Sequence, residues 1–175
     1  HALEPRVMQV LVALARRPLE REGVSTVSVD LRDAQAVSVA LKGVGPTHVF
    51  FTSWIRQETE AENIRVNGAI VRNVLDALRP MQSLRHFALV TGLKHYLGPF
   101  EAYGQGTMPD TPFHEDEPRL EVANFYYAQE DELFAAAAAQ GFTWSVHRSH
   151  TVLGYAVGNA MNMGQTLAVA ASISR

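Results

Sequence analysis

The sequence predicts an α/β fold of the Rossmann-like, doubly wound type, in which helices cover both faces of a parallel sheet. The main observation is that short apolar runs of strand length alternate with longer segments of helical periodicity. The composition agrees, because 47% of the 175 residues are hydrophobic and 19% are charged, which suits a compact domain with a buried core.

Five strands are predicted from runs that are apolar, short and rich in β-branched residues. They cover residues 10–15, 24–30, 47–53, 85–90 and 142–147. Because the carboxyl ends of parallel strands meet at one edge of a sheet, the residues that follow these runs are the candidates for a ligand site.

Helical segments are predicted between these strands. The clearest, at about residues 58–78, places Val71 and Leu78 on one apolar stripe and ends before Pro80. Asn67 interrupts that stripe, so we expect its side chain to bond to neighbouring backbone. Further helical segments are predicted at 1–9 (the tail of a helix), after Asp33 as an N-cap, at 124–140 and at 161–173.

The central strand of the fold and its glycine-rich turn have no counterpart in the sequence. In a doubly wound dinucleotide fold that strand comes first and the turn follows it. This chain begins at His1 and has its first glycine at Gly23. We therefore expect residues 1–175 to form one Rossmann-type domain that is incomplete at its N-terminus and also at its C-terminus. By the size of a βα unit, about 25–35 residues would precede it.

Charge and composition argue against several classes of function. A net charge of -3 gives no reason to expect nucleic acid or a membrane surface as a partner. The absence of cysteine excludes disulfides and thiolate metal sites. His147 and His150 do not have the spacing of a metal site on a helix face, so no metal is predicted. With no apolar run near twenty residues and no signal peptide, we expect a cytoplasmic protein.

Two adjacent arginines, Arg16 and Arg17, follow directly on the first predicted strand. In dinucleotide folds an acidic residue near this position holds the ribose of NAD, whereas arginine accommodates the 2′-phosphate of NADP. An NADP-binding domain and a solvated basic turn explain the pair about equally well. Asp30, at the next strand end, could accept a bond from adenine, although a simple turn residue is favoured there.

Lys94 and Tyr126 are the sharpest candidates for chemistry. Lys94 is one of two lysines in the chain and follows the fourth strand, while Tyr126 begins the helix at 124–140. A cation beside a phenol favours donation to a developing oxyanion. From the residues alone, a surface lysine and a core tyrosine are the favoured explanation. The acidic run Glu130-Asp131-Glu132 is explained by the helix macrodipole.

Two long motifs resemble those of a known family. The run TGLKHYLGPFE at 91–101 resembles the lysine motif of the progesterone 5β-reductase/iridoid synthase-like enone reductases, which are atypical extended short-chain dehydrogenases/reductases. The run NFYYAQED at 124–131 resembles the tyrosine motif of the same family, and the similarity extends over essentially the whole chain. Ordinary members of the superfamily carry lysine four residues after the tyrosine, where this chain has Glu130 after Tyr126, or Asp131 after Tyr127.

The resemblance implies an NADPH-dependent oxidoreductase that reduces the C=C bond of enones or enals by 1,4-hydride addition. It implies that Tyr126 and Lys94 are catalytic and that loop 97–120 contributes to the substrate pocket. The NADP(H)-binding residues it implies are Arg16, Arg17, Asp30, Leu31, Ser53, Trp54, Val90, Thr91, Val152, Asn159 and Ala160. The substrate-binding residues it implies are Trp54, Phe100, Tyr103 and Met161.

Two other functions are weighed against this one. An NAD(P)-dependent epimerase or dehydratase acting on a nucleotide sugar shares the extended fold, but would need a lysine at position 130. A non-catalytic dinucleotide-sensing regulator would keep the cofactor groove without needing the Lys94/Tyr126 pair. The expected partner is a small-molecule enone or enal, and a homodimer is left open.

Overall fold

Within the residues that the structure describes, five strands form two parallel sheets. The computed structural model describes residues 10–17, 21–102, 109–150, 152 and 163–174. The strands are β1 (Leu11–Ala15), β2 (Val24–Ser28), β3 (His48–Phe51), β4 (His86–Gly92) and β5 (Thr143–Ser149). The helices are α1 (Ala34–Leu41), α2 (Glu60–Leu78), α3 (Lys94–Leu97), α4 (Phe125–Gln140) and α5 (Met163–Ile173), with 3-10 turns at Arg79–Met81 and Phe100–Ala102.

All the strand pairs are parallel, as the alternation of strands and helices predicted. One sheet pairs β1 with β2, and the other has the order β3-β4-β5. Among the described residues no ladder joins β1 to β3. Leu14 of β1 nevertheless packs against the same hydrophobic core as Phe51 of β3 and Leu89 of β4. The two sheets therefore share one core, and their carboxyl ends lie on the same side of it, next to a common groove.

Three helices pack against one another over this core. Helix α2 lies between α1 and α4, and its Gly68 faces Ala128 of α4, where a Cβ on Gly68 would make an ordinary contact at 3.5 Å. Phe87 and Ile70 are completely buried where this helical layer meets the sheet. On the opposite face of β3, Phe50 is 76% exposed, and α5 has no buried residue.

The helix ends follow the predicted capping chemistry. Asp33 accepts a hydrogen bond from the backbone N–H of Ala36 at 2.9 Å, which confirms it as the N-cap of α1. Thr59 caps α2 and Asn124 caps α4, so both helices begin a residue or two later than the sequence indicated. Gly141 ends α4 with φ of 78°, a conformation that favours glycine.

The structure differs most from the predicted elements around Lys94. Strand β4 runs on to Gly92, past its predicted end, and Lys94, which was expected to follow the strand, begins the short helix α3. The predicted loop 97–120 contains a 3-10 turn at Phe100–Ala102. Residues 1–9, with their predicted helix tail, lie outside the described residues.

Candidate active site

Lys94 lies buried at the carboxyl edge of the larger sheet. Its side chain is 3% exposed, and its Nζ donates a hydrogen bond of 2.8 Å to Oε1 of Glu60. The ammonium also lies 4.8 Å from the ring centre of Phe125 and 5.3 Å from that of Phe100. A charge removed from water needs partners of this kind, so the surface-lysine interpretation is wrong.

Glu60, the first residue of α2, joins three elements at this point. Besides the Lys94 ammonium, its Oε1 accepts the backbone N–H of Phe125 at 2.9 Å, and its Oε2 accepts Nδ2 of Asn63 at 3.1 Å. Burial works to raise the pKa of Glu60, but the bonds from Lys94, Phe125 and Asn63 outweigh it and hold that pKa below its ordinary value. The carboxylate is therefore kept ionised opposite the ammonium.

Asn124 makes a second connection between the same two segments. Its Nδ2 donates to the backbone carbonyl of Lys94 at 3.2 Å, and its Oδ1 accepts the backbone N–H of Tyr126 at 3.0 Å. The N-cap of α4 thus fixes the start of that helix against α3. Together, Asn124 and Glu60 bring Lys94 and the turn that carries Tyr126 to one place.

The two tyrosines of the pair have different surroundings. The Tyr127 hydroxyl is buried in a structural role, since it accepts the backbone N–H of Leu120 at 3.0 Å and donates to the carbonyl of His95 at 3.3 Å. The Tyr126 side chain is half-buried, and its hydroxyl lies beside Gly92 at the end of β4. Of the two tyrosines, Tyr126 places its hydroxyl at the carboxyl end of β4, next to the segment that carries Lys94.

An aromatic wall continues from this edge. Trp54 is 43% exposed and stacks on Phe125, with ring centres 5.3 Å apart and an interplanar angle of 18°. Asn67 fixes the segment that carries Trp54, because its side chain accepts the N–H of Ile55 at 2.7 Å and donates to the Ile55 carbonyl at 2.9 Å. The predicted structural role of Asn67 is confirmed. Phe100 is exposed beside the Lys94 ammonium.

A groove with a cavity of about 410 Å³ runs along the carboxyl ends of β1, β2 and β3. The lining residues include the predicted contacts Arg16, Asp30, Leu31, Ser53 and Trp54. Arg16 and Asp30 also line a neighbouring cavity of about 800 Å³ between β2 and α1. The groove thus joins residues that the sequence separates by almost forty positions.

The Asp30 carboxylate forms an ion pair with Arg32. Arg32 donates to both of its carboxylate oxygens, at distances from 2.5 to 3.1 Å. These side-chain bonds, with the backbone N–H of Arg32, lower the pKa of Asp30 to about 2. The carboxylate is therefore ionised and oriented at the end of β2, as both the adenine-binding and the turn interpretation allow.

The other predicted contacts are spread over the site and beyond the described residues. Thr91 is buried and its carbonyl accepts the hydroxyl of Ser149 at 3.2 Å, while Val90 is half-buried. Val152 is exposed. The predicted contacts Tyr103, Asn159, Ala160 and Met161 lie outside the described residues.

The macrodipole interpretation of the acidic run is wrong for Glu130. This residue is 1% exposed and pairs with Arg119 at 2.9 Å, with Arg148 at 3.8 Å from its other oxygen. Arg119 also lies over the Tyr127 ring, and it binds Asp131 at 2.7 Å. Glu130 thus occupies the position of the ordinary lysine and serves as the centre of an interior ion cluster.

Sequence reasoning did not single out Glu60 or Asn124 as site residues. Asn124 carried a usable signal, because asparagine directly before a helix caps its first turn and is held rigidly there. Glu60 carried none, since a carboxylate in the first turn of a helix is expected for its dipole alone.

The described residues contain neither a metal-binding cluster nor a membrane-spanning helix. In the part of the chain that the structure describes, no group of histidine, aspartate and glutamate residues could hold a metal ion. No helix among the same residues is both long and apolar enough to cross a membrane.

Comparison with known proteins identifies relatives of this chain. No family model matches the chain. The 3-oxo-Delta(4,5)-steroid 5-beta-reductase of Arabidopsis thaliana is 41% identical over 169 residues, which are 93% of this chain and 43% of that protein. The (S)-8-oxocitronellyl enol synthase of Catharanthus roseus is 38% identical over 168 residues, 93% of this chain and 42% of the relative.

The chain is a homologue of the progesterone 5β-reductase/iridoid synthase-like group. The resemblance predicted from the two motifs is confirmed, and those relatives are named as reductases and synthases. The chain spans less than half the length of the curated relatives it matches.

Solved structures show the same fold at lower sequence identity. A short-chain dehydrogenase/reductase superfamily protein from Agrobacterium tumefaciens with bound NAD has a TM-score of 0.61 at 21% identity, covering 81% of this chain and 42% of that one. The UDP-glucose 4-epimerase of Thermus thermophilus in complex with NAD has a TM-score of 0.57 at 22% identity, covering 74% and 42%. The Rossmann-type fold class is confirmed.

Proposed function

We propose that the full protein reduces the activated C=C bond of enones or enals with NADPH, and that residues 1–175 belong to its NADP-binding domain. The observation that carries the proposal is the double connection between Lys94 and the first turn of α4, through Glu60 and Asn124. The relatives named 5-beta-reductase and enol synthase support this class of reaction.

The groove at the carboxyl ends of the strands suits a dinucleotide cofactor. It follows the carboxyl ends of three parallel strands, where ligands of such folds bind, and Arg16 lies in it with Arg17 exposed alongside. Planar guanidinium groups suit a 2′-phosphate, and Trp54 and Ser53 would line the path toward Tyr126. When bound, NADPH supplies the hydride.

The residues of the chain would act on the substrate oxygen. As hydride adds to the β-carbon, the π electrons of the C=C bond move to form an enolate, and negative charge develops on oxygen. The Tyr126 hydroxyl donates a hydrogen bond to that oxygen, and the buried Lys94 ammonium adds a fixed positive charge in a poorly hydrated site. Trp54 and Phe100 would flank the substrate and exclude water.

A nucleotide-sugar epimerase is the second candidate, because solved neighbours include a UDP-glucose 4-epimerase. The position that would carry its lysine is Glu130, whose carboxylate is committed to Arg119. A dinucleotide-sensing regulator is the third, and it would have no use for a buried ammonium tied to the Tyr126 turn.

A cofactor titration followed by a substrate screen tests the three functions. The full protein should quench or shift NADPH fluorescence on binding, and should then oxidise NADPH when small enones or enals are added. Epimerisation of a nucleotide sugar without net NADPH oxidation would contradict the proposal. Cofactor binding with neither reaction would favour the regulator.

A further inference from the structure

One carboxylate oxygen, Oε1 of Glu60, accepts hydrogen bonds from both α3 and α4. It accepts the ammonium of Lys94 from α3 at 2.8 Å and the backbone N–H of Phe125 from α4 at 2.9 Å. The second oxygen is held by Asn63 within α2 at 3.1 Å. The side chain therefore has a fixed orientation and cannot move without disturbing both neighbours.

We propose that Glu60 is a positioning residue for the reaction, which sets the Lys94 ammonium relative to the α4 turn that carries Tyr126. This inference rests on the proposed function. Glu60 acts through Lys94 and is not itself assigned a contact with the substrate.

The need for such a residue follows from the burial of Lys94. A lysine side chain is a flexible four-carbon chain. Its ammonium is a compact charge, and it lacks the planar geometry by which the arginine guanidinium donates two parallel hydrogen bonds. The rings of Phe125 and Phe100 attract the cation without fixing its direction, since a cation over a ring is bound by a broad quadrupole field. A single directed bond to Glu60 supplies the orientation, and it also offsets the cost of burying the charge.

The shared oxygen makes the position of Lys94 depend on α4. Helix α2 spans nineteen residues and packs along α4, and Glu60 is its first residue, directly after the N-cap Thr59. If α4 shifts, the Phe125 N–H and the Lys94 ammonium shift together. One carboxylate oxygen thereby ties the Lys94 ammonium to the first turn of α4, which carries Tyr126.

The test uses the full protein and a mutant cycle. The variants are Glu60→Gln, Lys94→Met, the double variant, and Glu62→Gln as a matched control. Glu62 lies in the same first turn, is exposed, and bonds to Thr59 instead of Lys94. Glutamine at position 60 keeps an oxygen for the Phe125 N–H and removes the negative charge opposite Lys94. Its NH2 group also replaces the oxygen that accepts the Asn63 amide, a bond within α2 that does not involve Lys94. We would measure kcat and KM for a small enone, and the Kd for NADPH.

The expected result is a fall in kcat of about 10- to 100-fold in Glu60→Gln, which is typical of a misplaced catalytic group, with the NADPH Kd within about twofold of wild type. In the Lys94→Met background the same change should alter kcat less than about twofold, because its effect passes through Lys94. A purely structural role would lower activity by the same factor in both backgrounds, and that would overturn the proposal. An unaltered kcat in Glu60→Gln would overturn it too.

A second measurement is independent of turnover. The rate at which an amine-reactive reagent labels Lys94, followed by peptide mass spectrometry and referenced to the exposed Lys42, should rise in Glu60→Gln and stay constant in Glu62→Gln. Unchanged labelling would overturn the inference. Failure of the proposed function is recognised separately, because the wild type would then oxidise no NADPH with any enone.

Discussion

The hydroxyl of Tyr126 lies 3.2 Å from the point at which a Cβ atom on Gly92 would stand. This spacing is tighter than the usual approach of a Cβ to a neighbour, and the same point lies 3.4 Å from the edge of the Tyr126 ring. Gly92 is not among the described glycines with positive φ, so its backbone does not require glycine. The absent side chain is what makes room for the phenol.

Gly92→Ala should therefore displace the Tyr126 hydroxyl by a few tenths of an ångström or more and lower kcat. Misplacement by about 1 Å can cost about 100-fold in rate, so we expect a loss of up to that size, measured as NADPH oxidation with an enone. Gly68→Ala is the matched control, because its Cβ would meet Ala128 at an ordinary 3.5 Å. Equal activities of the two variants would show that Gly92 does not position Tyr126.

Arg16 and Arg17 should select the cofactor through its 2′-phosphate. Removing a charge-assisted bond costs about 1.5–3 kcal/mol, so Arg16→Ala should weaken NADPH binding by about 10- to 100-fold and leave NADH binding nearly unchanged. Fluorescence titration with both cofactors measures this. Arg72→Ala is the control, since Arg72 pairs with Glu132 on the helical layer. If the unmodified protein binds NADH as tightly as NADPH, the arginines do not have this role.

Glu130→Lys would recreate the ordinary tyrosine-x-x-x-lysine spacing, yet it should not restore an ordinary site. The new ammonium would replace a buried carboxylate between Arg119 and Arg148, so three cations would meet in the interior. Breaking a buried ion pair costs about 3–5 kcal/mol, and we expect a loss of stability of at least this size in chemical denaturation.

The neighbouring acid provides the comparison for that prediction. Asp131→Lys makes the same change of charge at a side chain that is 63% exposed, where an ion pair is worth about 0–1 kcal/mol. Similar stabilities for the two variants would mean that the interior cluster contributes little.

Much of the fold follows from local sequence signals. The strand runs and the N-cap at Asp33 are each decided by a few adjacent residues. The structure has Asp33 as the N-cap of α1, and it has the strands close to their predicted bounds. Asn67 could be assigned a structural role because a lone amide on an apolar stripe must be satisfied.

The candidate site was harder to predict because its contacts join distant parts of the chain. Glu60 and Lys94 are separated by 34 positions, and nothing local distinguishes Glu60 from other acids in a first helical turn. Glu130 shows the same difficulty, since its burial depends on Arg119 and Arg148, which approach it from a loop and from β5. The pair Lys94 and Tyr126 was singled out from the residues themselves, and the family motifs favoured a catalytic role for it. That role stays a prediction.

The central claim is that Tyr126 stabilises the developing enolate, and the tyrosine pair offers a direct test of it. Tyr127→Phe removes a hydroxyl that bonds to Leu120 and His95, so it should cost about 1–3 kcal/mol of stability and retain most turnover. Tyr126→Phe should do the reverse, since its hydroxyl is assigned to the substrate oxygen.

The deciding measurement is kcat for NADPH-dependent reduction of an enone by Tyr126→Phe, in a protein shown by fluorescence titration to bind NADPH normally. Loss of an oxyanion donor lowers the rate by about 10²–10³-fold, and that is the result we predict, with Tyr127→Phe near wild type. A Tyr126→Phe variant that turns over at the wild-type rate would contradict the account.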